Sequence, residues 1–210
     1  MIKRWFDIIV AFMGFLLLAP LLAVVALLVR LDSRGPILFR QQRIGKGFRP
    51  FTVYKFRTMV ENASQRGELT TSDKDPRITR IGRFLRRTKI DELPQLMNVF
   101  KGEMSIVGPR PEVHCYVELF REDYEEILQV RPGITDLASL KYQDEAALLG
   151  RARDAETEYR SNILPDKIAL AKEYLRRSSL LFDLVLILRT VPKLCGFKTS
   201  AWSSYEHYTN

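Results

Sequence analysis

Residues 8–29, IIVAFMGFLLLAPLLAVVALLV, form an unbroken apolar run of 22 residues. Coiled as a straight helix the run measures about 33 Å, against a bilayer hydrocarbon core of about 30 Å. The surface helix of a soluble protein carries a polar face. This run has none, so the sequence assigns it to a membrane. A cleaved leader fits poorly, because the run is longer than the usual apolar region of such a peptide. No small-residue cleavage site precedes a polar mature start, and Arg30-Leu31-Asp32-Ser33-Arg34 follows directly instead.

A straight span and a helix that dips in and returns to the same face both suit this length. Pro20 stands mid-run, where it removes a backbone hydrogen bond and bends or breaks the helix. Lys3 and Arg4 precede the run, and Arg30 and Arg34 follow it. Lys and Arg favour the cytoplasmic side, so a span would export one pair while a hairpin keeps both inside. Prolines also occur in true spans, so the residues alone leave both arrangements open. The expectation is a re-entrant anchor over residues 1–34, broken at Pro20.

Outward from the anchor, residues 35–198 read as one catalytic domain and 199–210 as a polar tail. A chain of 210 residues suits one compact domain with an anchor. A net charge of +8 calls for a polyanionic partner: nucleic acid, an anionic membrane face or phosphorylated substrates. Cys115 and Cys195 stand outside any CxxC or zinc pattern and read as free thiols in a reducing compartment. With only His114 and His207, and no HExxH or Cys/His cluster, the sequence argues against a zinc catalyst, and no Walker or dinucleotide loop is present.

The expected fold class is α+β, mainly helical, with a short hairpin and amphipathic helices for a membrane surface. Residues 36–42 and 51–56 read as strands joined across Gly45-Lys46-Gly47. Residues 61–75 are polar and read as a loop. Residues 78–88 place Ile78, Ile81 and Leu85 on one helical face and Arg80, Arg83 and Arg87 on the other. Residues 93–100, 112–130 and 165–177 are further helices. Residues 178–191, apolar but interrupted by Asp183 and Arg189, lie on the bilayer or pack in the core.

Three segments carry chemistry. Asp91-Glu92 opens a helix just after Arg83, Arg86, Arg87 and Lys89. The helix dipole and these cations favour an ionised carboxylate, which can accept a phosphoryl group as an acyl phosphate. Glu92 can hold a divalent ion such as Mg2+. Ordinary helix capping accounts for the same pair. Pro109-Arg110-Pro111, after Gly108, fixes the backbone on either side of an arginine suited to phosphate; a rigid turn with an exposed arginine is the plainer reading. Tyr54-Lys55-Phe56-Arg57-Thr58-Met59 interleaves cations with aromatics, as nucleotide-binding surfaces do. In a half-buried strand Lys55 and Arg57 would instead share a solvated face.

Together these segments resemble the monotopic phosphoglycosyl transferases, bacterial sugar transferases that begin polyprenyl-linked glycan assembly. The resemblance runs from Lys3 to about Val191. It is strongest at residues 54–59, at LRRTKIDELPQL (85–96) and at MSIVGPRPE (104–112). It implies that Asp91 attacks the sugar-linked phosphate of a UDP-sugar donor, releasing UMP, and that polyprenyl phosphate then takes the phosphosugar from the aspartate. It further implies that Glu92 binds the Mg2+ cofactor and that Arg110, held between Pro109 and Pro111, contacts phosphate. Lys55 and Arg86 match basic positions of the family site, and Pro20 matches the break of its re-entrant helix. Ala19 stands where many members have Ser.

Pro132-Gly133-Ile134-Thr135 fits the family, but Asp136-Leu137-Ala138-Ser139-Leu140-Lys141-Tyr142 departs from the common Gly-Trp-Ala-Gln continuation, so sugar contacts there are not carried over. Arg151 or Arg153 is a candidate replacement for a missing phosphate-binding arginine. Some members add a multi-span amino-terminal region, and this chain reads as the minimal catalytic unit. The implied setting is the bacterial plasma membrane, with the catalytic domain on the cytoplasmic face. Anionic substrates, not nucleic acid, account for the positive charge, and a homodimer is compatible with the chain. The alternative is a membrane-anchored basic protein that binds nucleic acid or anionic lipid without turnover, with steep salt dependence.

Overall fold

The computed structural model describes residues 2–63 and 75–194, with side chains to residue 190. Most of the polar loop expected at 61–75, the tail 199–210, Cys195 and His207 lie outside the described residues.

The apolar run sits inside one 31-residue helix, α1 (Ile2–Asp32), which continues on both sides of Pro20. Asp7, Ala11, Val25 and Val29 are buried, and Leu18 and Leu22 pack against the same cores. Their spacing makes a single stripe along the helix. Its opposite face exposes Trp5, Phe12, Leu16, Leu17, Leu27 and Leu31. The run therefore has two faces after all, both apolar, which hydropathy cannot separate.

Both ends of α1 are fastened to the same domain. Near its start, Asp7 Oδ1 accepts from Ser105 Oγ and from Ile106 N, each at 3.0 Å. Arg4 Nη1 donates to Val99 O at 2.7 Å, and Lys3 pairs with Asp183. Near its end, Asp32 Oδ2 accepts from Ile81 N at 3.1 Å. Arg57 Nη2 donates to Ser33 O at 2.6 Å and to Val29 O at 3.3 Å, and its Nη1 donates to Pro36 O at 2.6 Å. These bonds satisfy carbonyls that a helix end leaves without partners.

The expected hairpin is present as β1 (Leu38–Ile44) and β2 (Pro50–Phe56), antiparallel from Leu38↔Phe56 to Ile44↔Pro50. Gly47 supplies the turn with φ 66°. Helix α2 (Arg80–Thr88) is capped by Thr79, whose Oγ1 accepts from Gly82 N at 3.0 Å. It ends where Lys89 turns left-handed, with φ 57°. A 3-10 turn (Ile90–Gln95) leads into α3 (Leu96–Lys101), which Gly102 terminates at φ 89°. The single helix expected over 93–100 is thus a 3-10 turn followed by a short helix.

Two three-residue strands, β3 (Ser105–Val107) and β4 (Gly133–Thr135), pair in parallel. Between them the helix expected over 112–130 is two: α4 (His114–Leu119) and α5 (Arg121–Ile127), broken at Phe120. Short helices α6 (Leu137–Lys141), α7 (Glu145–Leu149) and α8 (Ala155–Glu158) precede α9 (Leu164–Arg177) and α10 (Leu180–Leu194). Helix α10 buries Asp183 and Leu186 and exposes Leu181 and Leu188, so it packs on one face only. The principal core joins α1, β2, α3, β3, α6, α9 and α10 around Val99, Met104 and Tyr174.

Candidate active site

Asp91 and Glu92 lie in the 3-10 turn, directly after the left-handed Lys89 redirects the chain. Glu92 N donates to Lys89 O at 3.1 Å. Both acids stand in the first turn of this 3-10 segment, but Asp91 makes no side-chain capping bond to it or to α3. Its side chain is buried, and Oδ1 has no hydrogen-bond partner among the described residues. A buried carboxylate oxygen without a donor is costly, which marks the position as one kept for something other than stability.

Glu92 is held from two sides. Lys55 Nζ lies 2.8 Å from Oε1, Arg110 Nη1 lies 3.1 Å from Oε2, and Arg110 Nη2 also meets Oε1. The two guanidinium contacts form a bidentate fork. Lys55 reaches inward because strand side chains alternate: it shares the face of the buried Phe51 and Val53. The reading of a solvated Lys55–Arg57 face is therefore corrected. Lys55 enters the site, whereas Arg57 grips the end of α1 and takes no part in the cluster. Arg86 stands beside the pair, with Nε donating to Thr58 Oγ1 at 2.9 Å.

Burial sets the protonation balance. It pushes the Asp91 carboxyl up to about 6, with the Glu92 charge adding to the effect and Lys55, Lys89 and Arg86 opposing it. The sequence expectation of a depressed Asp91 is thus reversed, because desolvation outweighs the cations. Burial alone would push Glu92 up as well, but Arg110 and Lys55 overcome it and hold Glu92 well below the usual carboxylate range. Glu92 in turn holds Arg110 above its usual value. Two adjacent carboxylates thus have their affinities for a proton pushed apart, as acid–base and nucleophilic sites do.

The loop that presents Arg110 is stitched on both flanks. Gly108 N donates to Thr135 O at 3.1 Å and Pro109 O accepts from Gly133 N at 2.9 Å. Pro111 O accepts from Arg43 Nη1 at 3.1 Å, which also reaches Glu112 Oε2 at 3.1 Å. Gly108 and Gly133 allow this closeness: a Cβ on Gly108 would sit 2.6 Å from Arg131 O. The plainer reading of a rigid turn with a free arginine gives way to a rigid turn that delivers Arg110 to Glu92. One partner escaped sequence reasoning. Asp136 is buried, and its Oδ2 accepts from Arg110 N at 3.2 Å. Its signal, an Asp three residues before Ser139 at a helix start, was legible only as a cap. Arg151 is exposed on another part of the surface, and among the described residues no hydrogen bond links Arg151 or Arg153 to the cluster.

The carboxylate pair offers the hard oxygen atoms that a divalent cation takes. Magnesium takes one or two carboxylates and completes its shell with water and substrate phosphates. Among the described residues Asp91 Oδ1 is free of donors, and Glu92 Oε2 accepts only from Arg110, leaving it a lone pair. Among the described residues no group of three or more His, Cys, Asp or Glu forms a cage, so phosphate would have to complete the shell.

The family model described as "Bacterial sugar transferase" matches residues 1–196. The chain is 40% identical over 202 residues to the UDP-N-acetylgalactosamine-undecaprenyl-phosphate N-acetylgalactosaminephosphotransferase of Aeromonas hydrophila, covering 93% of this chain and 44% of that one. It is 37% identical over 205 residues to the UDP-glucose:undecaprenyl-phosphate glucose-1-phosphate transferase of Escherichia coli, covering 96% of this chain and 41% of the relative. Against the Caulobacter vibrioides protein of that same name, identity is 40% over 195 residues, 91% of this chain and 69% of the relative. The chain thus spans less than half the length of the first two. With the family model covering nearly its whole length, the chain belongs to the bacterial sugar transferase family.

Proposed function

We propose that this chain transfers a sugar 1-phosphate from a UDP-sugar to polyprenyl phosphate at a membrane face, through a covalent intermediate on Asp91. The observation that carries the reading is the buried, donor-free Asp91 Oδ1 beside a Glu92 that Lys55 and Arg110 keep charged. The names of the relatives supply the substrate class.

In the first step an Asp91 carboxylate oxygen attacks the phosphorus attached to the sugar. The new O–P bond forms as the phosphoanhydride bond breaks, and UMP leaves with the bridging oxygen and its electron pair. In the second, an oxygen of polyprenyl phosphate attacks the same phosphorus. The aspartyl O–P bond breaks, Asp91 is regenerated as a carboxylate, and a polyprenyl diphosphate sugar is released. Lys55, Arg86 and Arg110 supply fixed positive charge where the phosphates bind, which costs no reorganisation during reaction. Asp91 and Glu92 would hold Mg2+, which would neutralise charge on the donor diphosphate.

The packing of α1 supports a re-entrant topology. A perpendicular span would carry its middle residues away from the domain, yet the stripe from Asp7 to Val29 packs on the domain throughout, and both ends are bonded to it. This supports a helix that enters and leaves by one leaflet, with its exposed apolar face in lipid and the basic flanks on the cytoplasmic side; α1 runs through Pro20 as one continuous helix. The site then faces both the cytosolic donor and the lipid phosphate.

Incubation with donor alone, followed by intact-mass and peptide analysis, tests the mechanism. A phosphosugar adduct mapping to Asp91 in the wild type and absent from Asp91→Asn is expected. Unimpaired UMP release by Asp91→Asn would refute it. Steeply salt-dependent nucleic-acid binding without turnover would favour the binding-protein alternative.

A further inference from the structure

We propose that Asp136 is a positioning residue for the transfer reaction, holding the Arg110 main chain so that its guanidinium meets Glu92. The inference rests on the site reading above and extends it to a residue in the stretch where this chain leaves the common pattern of its family. Asp136 is buried and uses its two carboxylate oxygens for two different donors. Oδ1 accepts from Ser139 N at 2.7 Å and caps α6. Oδ2 accepts from Arg110 N at 3.2 Å. One side chain therefore ties the start of α6 to the residue whose fork grips Glu92.

The geometry makes this tie consequential. Arg110 meets both oxygens of Glu92, and a two-point contact by a planar guanidinium tolerates little displacement. The flanking bonds from Gly108 to Thr135 and from Gly133 to Pro109 hold the loop before Arg110, and Arg43 holds it after. Asp136 alone bonds to the main chain of Arg110 itself among the described residues. Beside it lies a cavity of about 20 Å³ lined by Pro109, Arg110, Glu112, Asp136 and Lys167. Truncating Asp136 would enlarge that space beside the Arg110 main chain. The Asp136 charge also favours the charged form of Arg110, after the larger effect of Glu92.

A cap and a positioning role separate by substitution. Serine caps helices about as well as aspartate, but its shorter side chain with one oxygen cannot also reach Arg110 N. Asp136→Ser is therefore a cap-only variant. In reconstituted membranes we expect it to fold, with a melting temperature lowered by no more than about 2–8 °C, while kcat/KM for the UDP-sugar falls about 10- to 100-fold. In an Arg110→Gln background the same substitution should bring no further loss. Wild-type activity in Asp136→Ser would show a cap and nothing more, and would overturn the inference. An equal loss in both backgrounds would show action through another route and overturn it too. Wild-type activity in Arg110→Gln alone would sink the site reading and this inference with it. If Asp136→Ser does not fold, Asp136→Asn, which keeps the volume but offers one acceptor, goes through the same cycle with the same criteria.

Discussion

Replacing Asp91 with Asn should abolish transfer and at the same time stabilise the protein. The carboxyl titrates at about 6 in the fold against 3.8 in an open chain. A gap of about two pH units corresponds to about 3 kcal/mol, the cost at neutral pH of carrying that charge in a buried place. Asn removes the charge with little change of volume, so up to about 3 kcal/mol should return. For a chain of this size that is about 6–12 °C in melting temperature. The size of the gain depends on pH. Below the open-chain value both states hold the proton and the variant gains nothing. As pH rises from 3.8 toward about 6 the wild type loses stability, and above that the gain of the variant is constant. Thermal unfolding in lipid nanodiscs at pH 4, 5, 6 and 7.5, wild type beside Asp91→Asn, reads this directly. A variant that melts no higher than wild type at pH 7.5, or one whose advantage is as large at pH 4, would refute the account of Asp91 as a charge held against desolvation.

The donor half-reaction should decline about tenfold per pH unit below pH 6, as the nucleophile protonates; single-turnover UMP release between pH 4.5 and 8 checks this, and a flat profile contradicts it. Arg110→Gln leaves Glu92 with Lys55 as its remaining charged partner, so a loss of about 100-fold in kcat/KM is expected, together with a lower melting temperature; steady-state kinetics and calorimetry measure both. Gly82→Ala should fail to accumulate as folded protein, because its Cβ would fall on the Thr58 backbone; membrane-fraction yield and limited proteolysis report it.

The parts of this molecule that were legible in sequence are those set by neighbours in the chain. The apolar run, the Gly47 turn and the Thr79-capped basic helix each follow from local composition, and the Asp91-Glu92 and Pro109-Arg110-Pro111 segments stand out by residue type. What was not legible depends on contacts across the chain. Strands β3 and β4 have three residues each, too few for a periodic signal, and their pairing joins Ser105 to Gly133. The break at Phe120 divides a stretch whose apolar spacing suits one helix. The rise in Asp91 comes from burial, which no count of nearby cations reveals. Asp136 bonds to a residue 26 positions away, so its tie to Arg110 has no local trace.

Lys55 is the next-to-last residue of β2, and Arg57 follows the strand directly, its N donating to Ile37 O at 2.9 Å. Arg57 is locked onto the carbonyls where α1 ends, and Lys55 is thereby delivered to Glu92. A slip of the strand by one residue would exchange both cations for Phe56 and Thr58 at once. Fastening the apolar helix and arming the carboxylate are thus a single alignment event: the chain cannot assemble its chemistry on a helix that has been seated out of step.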